Sequence, residues 1–130
     1  AGYSFGFERR HGRWLMLISP MLREIATAVR AGAVAAEVAQ RFHRTLVGML
    51  AEAAHMASHE TGLKTVALSG GVFQNQLLAE ALAHELESNG YKVLMHEQVP
   101  TNDGGISLGQ AAIGREFLRG RYKGIVNYEL

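Results

Sequence analysis

Apolar and polar positions alternate at the start of the chain. Tyr3, Phe5 and Phe7 are separated by small or polar residues, and the apolar run Trp14-Leu15-Met16-Leu17-Ile18 follows a turn-like Arg9-Arg10-His11-Gly12. A period of two broken by a turn predicts a β-hairpin over residues 3–18. Its second strand is apolar on both faces, so cover from both sides is expected. At Ser19-Pro20 the period changes to that of a helix: the serine can cap free N–H groups, and proline at the first helical position loses no hydrogen bond. Leu22, Ile25 and Val29 line one face of this helix, and Gly32 can end it. Val34, Val38, Phe42, Leu46, Met49, Ala53 and Met56 recur at steps of three and four, predicting a long helix over residues 33–59.

After Gly62 the run Thr65-Val66-Ala67-Leu68 is short and apolar on both faces, which suits a buried parallel strand. A Ser69-Gly70-Gly71 loop follows. Leu77, Leu78, Ala81, Leu82 and Leu86 then mark a helix stopping at Gly90, and residues 91–96 supply another strand, completing a βαβ unit with the right-handed crossover such units take. A polar loop over residues 98–105 leads to a last helix marked by Ile106, Gln110, Ile113 and Phe117 and ended by Gly120. Residues 121–130 form a tail without clear period. No repeat or interior linker interrupts the pattern, so residues 1–130 read as one α/β domain.

Composition narrows the function classes. A length of 130 residues with 48% hydrophobic content and two prolines suits one globular domain with a real core. A formal net charge of +1, with both signs interspersed, offers no broad footprint for a nucleic acid, which is therefore not an expected partner. Apolar stretches are interrupted well before the roughly 18 residues of a membrane span, and no charged n-region precedes an apolar h-region in these residues. The expectation is a cytoplasmic protein without a membrane partner. The absence of cysteine excludes disulfides, Cys-ligated zinc and a cysteine nucleophile within the chain, so any thiol chemistry falls to a partner. A first residue other than Met fits either a processed product or a piece cut from something longer, and the motifs below favour the second.

Two loops lie at the carboxyl end of a predicted strand just before a helix, where open α/β sheets bind ligands. In Ser69-Gly70-Gly71-Val72-Phe73-Gln74-Asn75 the paired glycines allow close approach to a phosphate or ribose, and the following helix start favours an anion. A tight turn needing positive φ accounts for the same residues. In Pro100-Thr101-Asn102-Asp103-Gly104-Gly105 the Asp103 carboxylate can cap the next helix or serve as a hard oxygen ligand for a metal.

Together the segments Ser69-Gly70-Gly71-Val72-Phe73-Gln74-Asn75-Gln76-Leu77-Leu78 and Val99-Pro100-Thr101-Asn102-Asp103-Gly104-Gly105-Ile106-Ser107-Leu108-Gly109-Gln110-Ala111-Ala112 resemble the carboxy-terminal signatures of the HypF carbamoyltransferase family. Arg41-Phe42-His43 and the aromatic hairpin resemble it too, so the likeness spans about residues 5–117. The related tRNA threonylcarbamoyl transferases have similar loops, but Phe73-Gln74 and Asn102-Asp103-Gly104-Gly105 are closer to HypF.

The resemblance implies an actin/sugar-kinase/heat-shock-protein-like (ribonuclease H-like) fold, of which this chain is the second half, with a mixed sheet, the hairpin and flanking helices. It further implies a carbamoyl-adenylate, made from carbamoyl phosphate and ATP, whose carbamoyl group passes to the C-terminal cysteine of the partner protein HypE in NiFe-hydrogenase maturation. Matched by position, Ser69, Gly70, Gly71, Asn75 and Gly104 would hold the nucleotide. Asp103 would be the catalytic residue, as ligand to a divalent metal whose identity (zinc, iron or magnesium) stays open. The family's two metal-binding histidines, its first phosphate loop and its acylphosphatase-like, zinc-finger and adenylate-forming domains have no counterpart in these 130 residues. The isolated chain is therefore expected to bind nucleotide weakly and to turn over nothing.

Other groups carry weaker signals. His55 and His59 have the i, i+4 spacing of two ligands on one helix face, but a dipole-stabilised helix end explains them as well. His43 reads as a packed or supporting residue. Arg115, Arg119, Arg121 and Lys123 read as a solvated helix end. The hairpin's free edge and apolar surface invite pairing with a second copy, so a homodimer of the chain is an expectation. A half-domain for tRNA threonylcarbamoyl transfer and a catalytically silent regulatory module are the alternative functions.

Overall fold

The computed structural model describes residues 2–121. Strands β1 (Gly6–Arg10) and β2 (Arg13–Leu17) pair antiparallel in register from Gly6↔Leu17 to Arg10↔Arg13. The two residues between them, His11 (φ 48°) and Gly12 (φ 77°), both take positive φ, the two-residue turn whose twist matches the strands it joins. The hairpin is where the sequence puts it, but β2 is not covered: Trp14, Leu15 and Met16 are each at least 40% exposed.

Helix α1 (Ser19–Arg30) carries Pro20 in its first turn as expected, yet Ser19 does not cap it. Ile18 already has helical φ and ψ and accepts from the Leu22 N–H at 3.1 Å, so the helix begins a residue early and the serine falls inside it. Met21 is the buried residue of this helix, while Leu22 and Val29 are more than half exposed. The apolar stripe is wide enough to be read on either flank, and packing selects the Met21 side. Helix α2 (Ala35–Thr61) runs 27 residues, roughly 40 Å, and stops at Gly62, whose left-handed φ of 73° lets its N–H close on the Ser58 carbonyl.

Strands β3 (Thr65–Ala67) and β4 (Lys92–Leu94) are parallel, with Thr65↔Lys92, Val66↔Val93 and Ala67↔Leu94 in register, and helix α3 (Gln76–Ser88) connects them. This is the expected βαβ unit with both strands shorter than the apolar runs. Leu78, Ala79, Leu82, Ala83 and Leu86 of α3 are buried, and α3 packs on α2. Five apolar positions along one face anchor the core, each large one contributing about 1.5–3 kcal/mol on burial. The strands form two small sheets, one antiparallel and one parallel, so the fold is α/β with both kinds of pairing.

The chain divides into two compact units. The first comprises residues up to Ala67 together with Asn75–Leu94, and the second comprises Leu68–Gln74 with the residues from Met95 onward. In the first, the segment before β1 is tied to α2: Thr45 Oγ1 accepts from the Tyr3 N–H and donates to the Arg41 carbonyl, both at 2.7 Å. The Arg41 guanidinium lies 4.0 Å above the Tyr3 ring and donates to the Gly2 carbonyl at 3.2 Å. In the second, helix α4 (Ile106–Leu118) leaves Ile106, Ile113 and Phe117 more than half exposed. No helix among the described residues is long and apolar enough to cross a membrane.

Candidate functional site

The parallel register carries two chemically active residues past the strand ends. Ser69 and His96 each follow the last paired residues, Ala67 and Leu94, by two positions, and Ser69 Oγ lies 2.9 Å from His96 Nε2. The Gly70 N–H donates to the Thr101 carbonyl at 2.8 Å. The Gly70–Thr101 bond joins the diglycine loop to the acidic loop, and the Ser69–His96 bond joins it to the segment after β4, both within the second unit. Gly70 has φ 111°, a conformation side chains rarely adopt, so the turn itself requires a glycine there. A 3₁₀ turn over Gly71–Gln74 follows, which the sequence pattern does not reveal because four residues are too few to show a period.

In the acidic loop the cap is Asn102, not Asp103. Asn102 Oδ1 accepts from the Gly104 N–H at 3.0 Å at the start of a 3₁₀ turn over Asp103–Gly105. Asparagine one position earlier has the reach, so the capping function is filled and the Asp103 carboxylate is left over. Asp103 is exposed, and among the described residues no hydrogen bond or ion pair engages its carboxylate. The glycines after it serve close packing. A Cβ on Gly105 would stand 3.0 Å from the Pro100 carbonyl, and one on Gly104 would stand 3.0 Å from Asn102 Oδ1 and 3.2 Å from the Pro100 ring. Substitution would push the loop, and Asp103 with it, away from its present place. Thr101 Oγ1 is buried without a partner among the described residues.

Asn75 falls in the first unit as the N-cap of α3. Its Oδ1 accepts from the Leu78 N–H at 3.3 Å and its Nδ2 lies 2.9 Å from His43 Nε2. An amide nitrogen can only donate, so His43 Nε2 accepts. The proton of a neutral ring then sits on Nδ1, which donates to the Ala39 carbonyl at 2.8 Å. His43 thus holds Asn75 by its free amide end. Arg41-Phe42-His43 is explained residue by residue: Arg41 fixes the segment before β1, Phe42 packs edge-on to His43, and His43 orients Asn75. Ser69, Gly70, Gly71, Asp103 and Gly104 belong to the second unit.

The remaining candidates lie elsewhere in the fold. His55 Nδ1 lies 2.8 Å from the Tyr91 hydroxyl, and Lys64 Nζ stands over the same tyrosine ring at 4.6 Å. His55 and His59 both line a groove of about 550 Å³ with Phe7, Trp14, Glu52, Met56 and Glu60. No group of three or more His, Asp or Glu residues poised for a metal occurs among the described residues. Arg115, Arg119 and Arg121 converge on Glu116 at 3.2–3.9 Å, an exposed cluster of the kind that contributes little to stability. Lys123 and the rest of the tail lie outside the described residues.

Residues 1–110 match the family described as Carbamoyltransferase, Kae1-like Domain, second subdomain. The chain belongs to this family. Carbamoyltransferase HypF of Rhizobium leguminosarum bv. viciae is 37% identical over 107 residues, which is 82% of this chain and 14% of that protein. Carbamoyltransferase HypF2 of Cupriavidus necator is 42% identical over 89 residues, 68% of this chain and 11% of that protein. A crystal structure of full-length HypF in a phosphate- and nucleotide-bound form superposes with a TM-score of 0.86 at 34% identity over 95% of this chain and 16% of that one. The T. kodakarensis HypF structure gives 0.70 at 33% identity over 82% of this chain and 14% of that one. The chain therefore spans about one seventh of the length of the HypF relatives it matches.

Proposed function

We propose that this chain forms the second nucleotide-facing half of a HypF-type carbamoyltransferase, acting as part of a longer cytoplasmic protein. The reaction is transfer of the carbamoyl group of carbamoyl-adenylate, made from carbamoyl phosphate and ATP, to the C-terminal cysteine thiolate of HypE during NiFe-hydrogenase maturation. Sulfur attacks the carbamoyl carbon, the C–O bond to AMP breaks, and AMP leaves as the phosphate anion. The observation that carries the reading is the joining of the diglycine and acidic loops by the Gly70–Thr101 bond, with the Asp103 carboxylate uncommitted beside them.

In this reading Ser69, Gly70, Gly71 and Gly104 of the second unit line the nucleotide, and Asn75 of the first, held by His43, stays with the start of α3. Asp103 fits one ligand of a divalent cation: it is a hard oxygen donor, exposed and free of competing partners among the described residues. Since these residues supply no further ligand cluster, the remaining ligands come from elsewhere in the longer protein. A bound cation would neutralise phosphate charge and orient the acyl group.

The test is Asp103→Ala in the full-length protein, read as metal content and carbamoyl-phosphate-dependent ATP cleavage. Loss of both is expected. Unchanged metal and cleavage would remove Asp103 from the site. Stimulation by tRNA instead of a cysteine-tailed protein would favour threonylcarbamoyl transfer, and absence of any cleavage in the wild type would favour a silent module.

A further inference from the structure

Ser69 and His96 form a side-chain pair of which the reading above uses only Ser69, and its chemistry has a direction. With Oγ and Nε2 at 2.9 Å, one of the two donates and the other accepts. If Nε2 is unprotonated, the Ser69 proton is spent on the ring and the hydroxyl offers a ligand only lone pairs. If Nε2 carries the proton, the ring donates to Oγ and the Ser69 O–H is free to donate outward. Only the second state suits an anion.

Ser69 stands beside Gly70, whose N–H is already committed to Thr101, and its hydroxyl is a side-chain polar group that the loop can offer at that point. We propose that His96 is a positioning residue that presents an Nε2–H to Ser69 and thereby aims the Ser69 hydroxyl as a donor to a phosphoryl oxygen. The inference rests on the nucleotide-site reading and adds to it a specific residue, a tautomer and a ligand class. His96 itself touches Ser69 and not the ligand. The pair also binds the strand end after β3 to the strand end after β4, so the donor is fixed from two sides. Both residues are exposed, leaving the outward face of the hydroxyl open to a ligand.

The experiment is equilibrium binding to the full-length protein of three probes, namely ATP, adenosine and inorganic phosphate. It compares the wild type with Ser69→Ala, His96→Ala, His96→Gln and the Ser69→Ala/His96→Ala double variant. Removing one hydrogen bond to a charged oxygen should weaken ATP binding about tenfold or more in each alanine single variant. The double variant should be no weaker than the weaker single one, because the two residues act as one unit. His96→Gln, whose amide N–H can replace Nε2–H, should restore most of the affinity, and adenosine binding should stay unchanged throughout. Inorganic phosphate binding weakened in parallel with ATP assigns the contact to a phosphoryl group bound on its own. Phosphate binding left unchanged assigns it to the phosphates of the nucleotide. A parallel loss of adenosine affinity would mean that the pair merely holds the loop's shape, and multiplicative losses in the double variant would mean that the residues act separately. Either result overturns the proposal, as does wild-type ATP affinity in His96→Ala. A wild type that binds no nucleotide would instead overturn the reading beneath it.

Discussion

A single displaced function decides what Asp103 is available to do. Asx side chains at a turn start either cap or project, and with Asn102 and Asp103 adjacent the asparagine caps. Replacing Asn102 by Ala should shift the capping demand to the aspartate or leave the Gly104 N–H bare, destabilising the turn by about 1 kcal/mol. In the full-length protein that change should lower metal occupancy even though residue 102 is not a ligand. Metal content equal to wild type would show that Asp103 does not depend on its neighbour. The His43–Asn75 pair gives a contrast. Asn75→Ala removes the cap of α3 and should cost about 1 kcal/mol in urea unfolding of the chain. His43→Ala leaves the cap in place and frees only an exposed amide end, so it should cost less than about 0.5 kcal/mol. Equal costs would mean that the cap is not what Asn75 contributes.

Among the helices, α3 carries the clearest division between buried and exposed apolar positions. Leu86 is 1% exposed and Leu77 is 76% exposed, although the period of three and four includes both. Leu86→Ala should destabilise the chain by about 2–5 kcal/mol and Leu77→Ala by less than about 0.5 kcal/mol, read from urea midpoints. Where α1 meets the segment before β1, Glu24 accepts hydrogen bonds from the Ser4 side chain and its backbone N–H, and Arg41 adds its charge. Together these hold the Glu24 carboxyl below the usual carboxylate range. A depressed carboxyl contributes stability above its unfolded value and loses it as pH falls through the folded one. The urea midpoint should therefore fall less steeply on acidification in Glu24→Gln than in the wild type, and by a small margin because the group is exposed.

The sequence shows these elements unevenly. Hairpin, helix order and βαβ unit were legible because periods of two and 3.6 persist over enough residues and Gly12, Gly62 and Gly90 punctuate them. The 3₁₀ turns were not, being shorter than any period. The cover expected on β2 is not found among the described residues, and the buried flank of α1 is not legible, because periodicity marks apolar faces without saying whether anything packs there. Of the site, the two loops could be found from glycines and Asp103. The Ser69–His96 contact could not, since it needs the parallel register that places residues 27 positions apart side by side.

For the molecule as a whole, length is the governing fact. At about one seventh of its HypF relatives, the chain exposes Trp14, Leu15, Met16 and Ile18 along β2 and its end, apolar side chains on both faces of a two-stranded sheet with a free strand edge among the described residues. Surfaces of this kind associate. The isolated 130-residue chain should therefore self-associate in sedimentation equilibrium, and Trp14→Lys with Met16→Lys should return it to monomer. A monomer at all accessible concentrations would show that the hairpin is tolerated in water as it stands. The isolated chain should also show no carbamoyl-phosphate-dependent ATP cleavage, because one carboxylate does not make a metal site.

Whether one cation and one nucleotide meet at these two loops can be read from full-length protein loaded with Mn²⁺ and ATP, as ³¹P hyperfine coupling to the manganese. Coupling in the wild type that disappears in Asp103→Asn, with ATP still bound, is the expected result. Bound manganese and bound ATP with no coupling between them, or coupling untouched by Asp103→Asn, would contradict the assignment of Asp103 and the diglycine loop to a common site.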